Sequence, residues 1–149
     1  MTMMKKILLI EDDELDVMSV QRALKKIDVS HELLTAYNGV EALELLVGKS
    51  GNRIMNPLPD IILLDINMPK MNGLEFLTIL RNTEELKHIK VFVMTTSFQE
   101  FDRKATESLG VSKYLTKPLN FNDNNKNPDS MENFVQFQLV NILRQDNKE

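Results

Sequence analysis

The stretch from Ile61 to Gly73, IILLDINMPKMNG, constrains the fold of this chain more than any other segment. It opens with four consecutive apolar residues, a pattern typical of a strand that is covered on both faces in a parallel sheet. Asp65 follows at the carboxyl end of that strand, where open α/β sheets bind their ligands. Asn72 and Gly73 then favour a turn into a helix. Taken alone, Asp65 is either a cap of that turn or part of a chemical site.

A second group of acids bears on this choice. Glu11, Asp12 and Asp13 directly follow another apolar strand, which is predicted from Lys6 to Ile10. The carboxyl ends of parallel strands meet at one edge of a sheet, and ligands bind there. Two strands that both end in acids therefore predict one shared acidic pocket.

Strand and helix patterns alternate along the whole chain. The predicted strands are Lys6 to Ile10, Glu32 to Ala36, Ile61 to Leu64, Lys90 to Thr95 and Ser112 to Thr116. The predicted helices are Glu14 to Ile27, a second helix with Val40, Leu43, Leu46 and Val47 on its apolar face, Gly73 to Arg81, Phe98 to Leu109, and Met131 to Arg144. Turn-forming and polar residues predict a surface loop from Gly48 to Asp60 and a polar loop from Asn120 to Ser130. This alternation predicts an α/β fold with a parallel five-stranded sheet, right-handed crossovers and helices on both faces.

Composition limits the classes of function. The 149 residues, 42% hydrophobic and 27% charged, fit one domain over residues 1–149, with a core from about residue 5 to residue 144 and no output domain. The absence of cysteine excludes a disulfide framework, a thiolate zinc site and a cysteine nucleophile. No apolar run is long enough for a signal peptide or a membrane span, so a cytoplasmic protein is expected. A net charge of -4 without a dense basic block argues against a nucleic-acid-binding face.

Four predicted strand ends carry polar groups that can meet at one edge of the sheet. They are Glu11 with Asp12, Asp65, Thr95 and Lys117. Carboxylates roughly 4 Å apart repel each other by about 4 kcal/mol at an effective dielectric of about 20, and a divalent cation would relieve this repulsion. All-oxygen ligands favour Mg²⁺, while a lysine and a hydroxyl suit phosphate oxygens. A nucleophilic carboxylate, a metal, a hydroxyl and a lysine together describe a phosphoryl acceptor site.

In their order along the chain, these motifs resemble the receiver domains of bacterial two-component response regulators. The motifs are the acidic pair Glu11-Asp12, the D-x-x-M-P-x-M-N-G pattern from Asp65 to Gly73, the hydroxyl of Thr95 at the end of the fourth strand, and Lys117-Pro118 at the end of the fifth. Each motif is weak evidence alone, but the ordered set is specific. The resemblance implies a flavodoxin-like, doubly wound sheet with strand order 2-1-3-4-5.

The resemblance also implies a role for each acid of the pocket. Asp65 would accept a phosphoryl group from a phosphohistidine of a sensor histidine kinase. Magnesium would be bound by Asp12, Asp65 and the backbone carbonyl of Asn67, with Glu11 acting through water. Asp13 falls outside the matching pair, and we interpret it as the N-cap of the first helix.

Three further residues are implied to hold or sense the phosphoryl group. Thr95 and Lys117 would hold its oxygens, and Tyr114 matches the aromatic residue that swings inward when Thr95 does. The Lys117-Pro118 peptide bond matches one that is cis in the family. The protein would be a signalling phosphoacceptor and not an enzyme, with only self-catalysed phosphotransfer and slow self-dephosphorylation.

The long loop from Gly48 to Asp60 and the Thr95-Thr96-Ser97 sequence resemble stand-alone receivers that accompany bacterial phytochrome-type kinases. The signal would then leave by protein contact or by phosphotransfer to a downstream protein. Two other classes stay open. A magnesium-dependent phosphohydrolase is disfavoured because Asn67 stands where haloacid-dehalogenase-type enzymes have an acid/base aspartate. An interaction module without phosphorylation is disfavoured because the acids, Thr95 and Lys117 are all present.

The last predicted helix carries apolar residues outside its core stripe. The stripe contains Met131, Val135, Leu139, Ile142 and Leu143, whereas Phe134, Phe137 and Val140 lie off it. Such a patch favours a homodimer through helix 4, strand 5 and helix 5, a face the family often uses. In the alternative arrangement, the loop from Asn120 to Ser130 covers the patch.

Overall fold

Five parallel strands form the centre of the structure, and their order across the sheet, numbered along the chain, is 2-1-3-4-5. The computed structural model describes residues 4–27, 30–48, 54–66, 68, 71–95, 103–116 and 139–145. The strands are β1 (Lys5–Ile10), β2 (His31–Ala36), β3 (Ile61–Asp65), β4 (Lys90–Thr95) and β5 (Lys113–Thr116). Every adjacent pair is parallel, so the predicted fold and strand order are confirmed.

Helices cover both faces of this sheet. They are α1 (Glu14–Lys25), α2 (Gly39–Leu46), α3 (Gly73–Arg81), α4 (Arg103–Glu107) and α5 (Val140–Gln145). The bounds predicted for α3 agree with the structure, whereas α1 ends two residues before the predicted Ile27. The earlier parts predicted for α4 and α5, residues 98–102 and 131–138, lie outside the described residues.

The central strands are buried because alternate residues face two different apolar layers. Ile62 and Leu64 of β3 pack in one layer with residues of α2 and α3. Ile61 and Leu63 of the same strand pack in the other layer with residues of α1 and α5. All four side chains are 0% exposed, which is why the run in the sequence is continuously apolar.

The face of α2 that was predicted to be buried agrees with the structure in part: Leu46 is buried and Leu43 packs against the core, whereas the two valines do not. Val40 and Val47 are 42% and 38% exposed, and the residues that α2 buries are Gly39, Ala42 and Leu46. These three are spaced by three and four residues, so they form a helical stripe of their own. The helix is apolar enough around its circumference that periodicity alone did not select the face that meets the sheet.

The Gly48 to Asp60 segment is not simply a surface loop. Met55 is 2% exposed and belongs to the apolar layer beneath α2 and α3, and its backbone N–H donates to the Leu45 carbonyl over 2.8 Å. The end of the loop is tied to β1, because the Lys6 N–H donates to Asp60 Oδ2 and the Asp60 N–H donates to the Lys6 carbonyl, each over 2.9 Å. Residues 54–60 thus belong partly to the core. None of the helices in the described ranges is long and apolar enough to cross a membrane.

Candidate functional site

Strand register brings three of the predicted site residues to one edge of the sheet. Ile10 of β1 pairs with Leu64 of β3, so that Glu11 and Asp65 occupy the next positions on adjacent strands. Asp65 in turn pairs with Met94, directly before Thr95 at the end of β4. Glu11, Asp65 and Thr95 therefore lie side by side at the carboxyl ends of three neighbouring strands.

Three carboxylates meet at this edge. Oxygen atoms of Glu11, Asp12 and Asp65 all lie within 4.8 Å of one another. Glu11 is 0% exposed and Asp65 is 4% exposed, whereas Asp12 faces solvent. Because two of the three charges are held away from water, their mutual repulsion is only weakly screened. The shared acidic pocket that the sequence predicts is present in the fold, and we call it the acidic pocket.

Asp13 lies next to the acidic pocket in the sequence, but its side chain caps the start of α1. Its Oδ1 atom accepts hydrogen bonds from the N–H groups of Leu15, over 2.8 Å, and Asp16, over 3.4 Å. Its own N–H donates to Glu11 Oε2 over 3.2 Å, which links the helix start to the buried acid. The N-cap interpretation is confirmed, and the three-acid cluster contains Asp12 and not Asp13.

The start of α3 packs directly on the end of β3. The Gly73 N–H donates to the Ile66 carbonyl over 3.0 Å, and Asn72 and Glu75 cap the helix reciprocally. A Cβ atom at Gly73 would lie 2.7 Å from Ile66 Cα and 3.0 Å from the Asp65 carbonyl oxygen. Glycine is therefore required here by close approach of the backbone that carries Asp65, a reason beyond the turn that the sequence predicts.

Thr95 and Tyr114 lie in the same half of the sheet as the acidic pocket. Thr95 is 1% exposed and pairs with Thr116 at the ends of β4 and β5. Tyr114, two residues earlier on β5, is 7% exposed and packs in the apolar layer with α2 and α3. Its hydroxyl is 2.6 Å from the hydroxyl of Thr106 on α4.

Sequence reasoning missed Thr106. This residue is 1% exposed, and it precedes Leu109, which packs against the core, by three positions. A hydroxyl at a helical position that faces the core was the available signal. Of the remaining predicted site residues, Asn67 and Lys117 lie outside the described residues, as do the Lys117-Pro118 peptide bond, Thr96 and Ser97.

The donor set of the acidic pocket fits a hard divalent cation. The cluster offers three carboxylates and contains neither histidine nor cysteine. Mg²⁺ and Mn²⁺ prefer oxygen ligands, whereas thiolate and imidazole ligands favour zinc and copper. Such a cation would also offset the repulsion between the carboxylates.

The chain belongs to the response regulator receiver domain family, since the model of that family matches residues 7–126. Members of this family are phosphoacceptors in two-component signalling. The parallel sheet of order 2-1-3-4-5 and the acids at its carboxyl edge agree with this assignment.

Individual relatives include the response regulator Rcp1 of Synechocystis sp. (strain ATCC 27184 / PCC 6803 / Kazusa), which is 40% identical over 130 residues, 87% of this chain and 88% of Rcp1. The crystal structure of the Mn²⁺-bound form of Rcp1 superposes with a TM-score of 0.70 at 40% identity, over 78% of this chain and 84% of that one. The phosphorylated cyanobacterial phytochrome response regulator RcpA superposes with a TM-score of 0.70 at 34% identity, over 97% of this chain and 91% of that one.

Proposed function

We propose that Asp65 accepts a phosphoryl group from a phosphohistidine of a sensor histidine kinase. The observation that carries the proposal is the position of Asp65, which ends β3 inside the three-carboxylate cluster and lies beside Thr95. A buried carboxylate at the ligand-binding edge of the sheet is placed to act as a nucleophile. Family membership supports the same chemistry.

In the transfer step, an Asp65 carboxylate oxygen forms a bond to phosphorus while the bond from phosphorus to the kinase imidazole nitrogen breaks. The imidazole leaves with the electron pair of that bond, and Asp65 becomes an acyl phosphate. The Thr95 hydroxyl donates a hydrogen bond to a phosphoryl oxygen, and Lys117 supplies a positive charge. The catalysis therefore consists mainly of positioning and charge stabilisation.

We assign the divalent cation of this site as Mg²⁺. Asp12 and Asp65 would bind it directly with the Asn67 carbonyl, and Glu11 would act through water. When bound, the cation neutralises carboxylate charge and orients phosphoryl oxygens. The oxygen-only donor set supports this assignment, as does the Mn²⁺-bound form of the relative Rcp1.

We further propose that the partner kinase is of the phytochrome type and that the reaction takes place in the cytoplasm. The relative RcpA, a cyanobacterial phytochrome response regulator, supports the kinase class. The phosphorylated chain would signal by protein contact or pass its phosphoryl group to a downstream phosphotransfer protein. Phosphotransfer assays with purified kinases of the same organism would identify the donor. Transfer from a kinase of another class, with none from a phytochrome-type kinase, would contradict this part of the proposal.

A homodimer through α4, β5 and α5 is also proposed. Of the apolar patch that suggested it, Val140 is half-buried, and Phe134 and Phe137 lie outside the described residues. Pairing of identical patches about a two-fold axis would bury such a surface. Sedimentation of the native protein and of Phe137→Glu tests this, and the idea fails if both sediment as monomers with and without phosphorylation.

Intact-mass measurement after incubation with a small-molecule phosphodonor and Mg²⁺ tests the phosphorylation site. The native protein should gain one phosphoryl group, and Asp65→Asn should gain none. Asp13→Asn is the matched control, because it removes a neighbouring charge outside the cluster while asparagine retains N-cap capability. Labelling of Asp65→Asn to the native extent, or loss of labelling in Asp13→Asn, would contradict the assignment.

A further inference from the structure

Asparagine is followed by glycine at two places in the chain, and each pair begins a helix. Asn38 is the N-cap of α2, and Asn72 is the N-cap of α3. A glycine has no Cβ that would keep its nitrogen away from the preceding side chain. In such a pair the glycine nitrogen can attack the side-chain amide carbon of the asparagine, so both pairs are candidate sites of spontaneous modification.

The nitrogen that would attack has different surroundings in the two pairs. The Gly73 N–H donates a hydrogen bond to the Ile66 carbonyl over 3.0 Å, whereas no acceptor takes the Gly39 N–H among the residues that the structure describes. Attack by the Gly73 nitrogen therefore has an added cost, which is the loss of that hydrogen bond.

The asparagine backbone is also held differently. The Asn72 N–H donates to Glu75 Oε1 over 3.2 Å, and Asn72 Oδ1 accepts from the Glu75 N–H over 2.9 Å, which completes a capping box. At the start of α2, the Glu41 N–H donates to Asn38 Oδ1 over 2.8 Å, but the Glu41 carboxylate accepts from the Tyr37 N–H over 3.3 Å. The glutamate of α3 thus restrains the backbone of the asparagine itself, and the glutamate of α2 restrains the residue before it.

The room for the glycine to move differs in the same direction. A Cβ atom at Gly73 would lie 2.7 Å from Ile66 Cα, so the glycine packs against the backbone that follows β3. The three atoms nearest to a Cβ at Gly39 belong to the Met71 side chain, at 2.9 to 3.1 Å, and a side chain can change its rotamer. Because the glycine nitrogen has to shift toward the asparagine side chain, the start of α2 can accommodate the reaction with less disruption.

Solvent exposure alone would favour the other pair, since Asn72 is exposed and Asn38 is half-buried. The attacking nitrogen belongs to the same chain, so its position relative to the asparagine side chain decides whether the ring closes. Water takes part only in the second step, which opens the ring. The position of the glycine nitrogen therefore outweighs the exposure of the asparagine.

We propose that Asn38 is the site at which the folded protein undergoes deamidation, and that Asn72 is protected. The Gly39 nitrogen loses its proton to a base in the solvent and forms a bond to Asn38 Cγ, while the bond from Cγ to the side-chain nitrogen breaks and ammonia leaves. Water then opens the cyclic imide. Addition at the former side-chain carbonyl gives aspartate, and addition at the backbone carbonyl gives isoaspartate.

The two products affect the fold differently. Aspartate keeps a carboxylate oxygen at the N-cap, and aspartate caps helices about as well as asparagine does. Isoaspartate carries the chain through the former side chain, which displaces the Asn38 carbonyl that accepts from the Ala42 N–H over 3.0 Å. Two positions earlier, the Ala36 carbonyl accepts from the Glu11 N–H over 3.0 Å, so the isoaspartate forms close to a strand end that is bonded to the acidic pocket. Isoaspartate at this position should therefore loosen the start of α2.

Incubation of the native chain at mildly alkaline pH, followed by peptide mapping, tests the proposal. Mass spectrometry measures the products at the two positions, and methylation by an isoaspartyl methyltransferase detects isoaspartate. In the native chain, Asn38 should react about tenfold faster than Asn72, the equivalent of one hydrogen bond. The same chain in denaturant is the control, because both pairs are then released and should react at similar rates.

Two substitutions extend the test. Gly39→Ala keeps Asn38 but places a Cβ beside the attacking nitrogen, so it should slow the reaction both in the native chain and in denaturant. Asn38→Asp copies one product and should unfold at the same denaturant concentration as the native chain, whereas protein enriched in isoaspartate at position 38 should unfold at a lower one.

Three results would overturn the proposal. They are equal reaction of Asn38 and Asn72 in the native chain, faster reaction of Asn72, and full retention of Asn38 in the native chain over a time that converts it in denaturant. None of these measurements involves phosphorylation of Asp65, so a failure of the proposed function leaves them interpretable.

Discussion

The two ends of the central strands place charge in opposite ways. At the carboxyl end, carboxylate oxygens of Glu11, Asp12 and Asp65 lie within 4.8 Å of one another. At the amino end, the guanidinium of Arg81 is surrounded by backbone carbonyl oxygens. It donates to Leu109 over 2.6 Å, to Ile89 over 2.8 Å, to Lys87 over 3.0 Å and to Gly110 over 3.2 Å.

The difference separates a charge that has its partners within the fold from charges that repel one another. Burial lowers the pKa of the Arg81 guanidinium below its usual value, and four carbonyl acceptors offset this cost. These hydrogen bonds fasten the end of α3 to the segments before β4 and β5, so the charge is used within the fold. Charges of one sign held close together instead destabilise the fold until a cation binds. The acidic pocket thus suits a cation that would offset its repulsion, whereas the charge of Arg81 already has its hydrogen-bond acceptors within the fold.

Arg81→Met should produce the largest loss of stability at the amino end. The substitution leaves four carbonyls without their shared donor, so the free energy of unfolding should fall by about 3 kcal/mol. Denaturant unfolding measures the loss, while acceptance of a phosphoryl group by Asp65 should persist under folding conditions.

Lys87→Ala is the matched control for Arg81→Met. Lys87 forms an exposed ion pair with Glu84 at 2.9 Å, so its removal should cost less than about 0.5 kcal/mol. Similar losses from the two substitutions would show that Arg81 is an ordinary surface cation, and the contrast between the two ends of the sheet would then fail.

Gly73→Ala should have the next largest effect, at the carboxyl end. The added Cβ meets backbone atoms of Ile66 and Asp65, so stability should fall by about 2 kcal/mol and phosphorylation of Asp65 should slow. Gly39→Ala provides a close comparison, because Gly39 also begins a helix after an asparagine N-cap. The three atoms nearest to its Cβ would all belong to the flexible Met71 side chain, at 2.9 to 3.1 Å, so the loss should be smaller in denaturant unfolding and phosphorylation should be unchanged. Equal effects of the two substitutions would contradict the close-approach argument.

Asp12→Ala and Asp13→Ala distinguish the roles of two neighbouring acids at the carboxyl end of the sheet. Asp12→Ala should weaken Mg²⁺ binding by on the order of tenfold or more, since loss of outer-shell partners alone commonly has an effect of this size. It should also slightly stabilise the metal-free protein by relieving repulsion. Asp13→Ala should leave Mg²⁺ affinity nearly unchanged and lower stability by about 1 kcal/mol through loss of the N-cap. Calorimetric titration and denaturant unfolding measure both quantities, and equal losses of affinity would place the metal ligand at the wrong aspartate.

Several features could be predicted from the sequence because they depend on local signals. The continuous apolar run before Asp65 requires a strand that is covered on both faces, and the structure has it. The carboxylate of Asp13 caps the helix within its own turn, so its N-cap role could also be predicted from the local sequence. The strand order came from the resemblance to a family and not from periodicity, because the apolar pattern of a buried strand does not identify its neighbours.

Other features depend on contacts between residues that are distant along the chain, and local patterns did not predict them. Arg81 meets the Leu109 carbonyl 28 positions away, and no local pattern marks it as different from other basic residues at helix ends. Met55 is buried because its loop returns to the core, and Thr106 bonds Tyr114 because α4 packs beside β5. Strands and caps could thus be predicted from propensities that act within a few residues, and the acidic pocket from the rule that the carboxyl ends of parallel strands meet at one edge of the sheet. The partner of each remaining polar group was decided by packing, since such a contact exists only after the elements that carry it have come together.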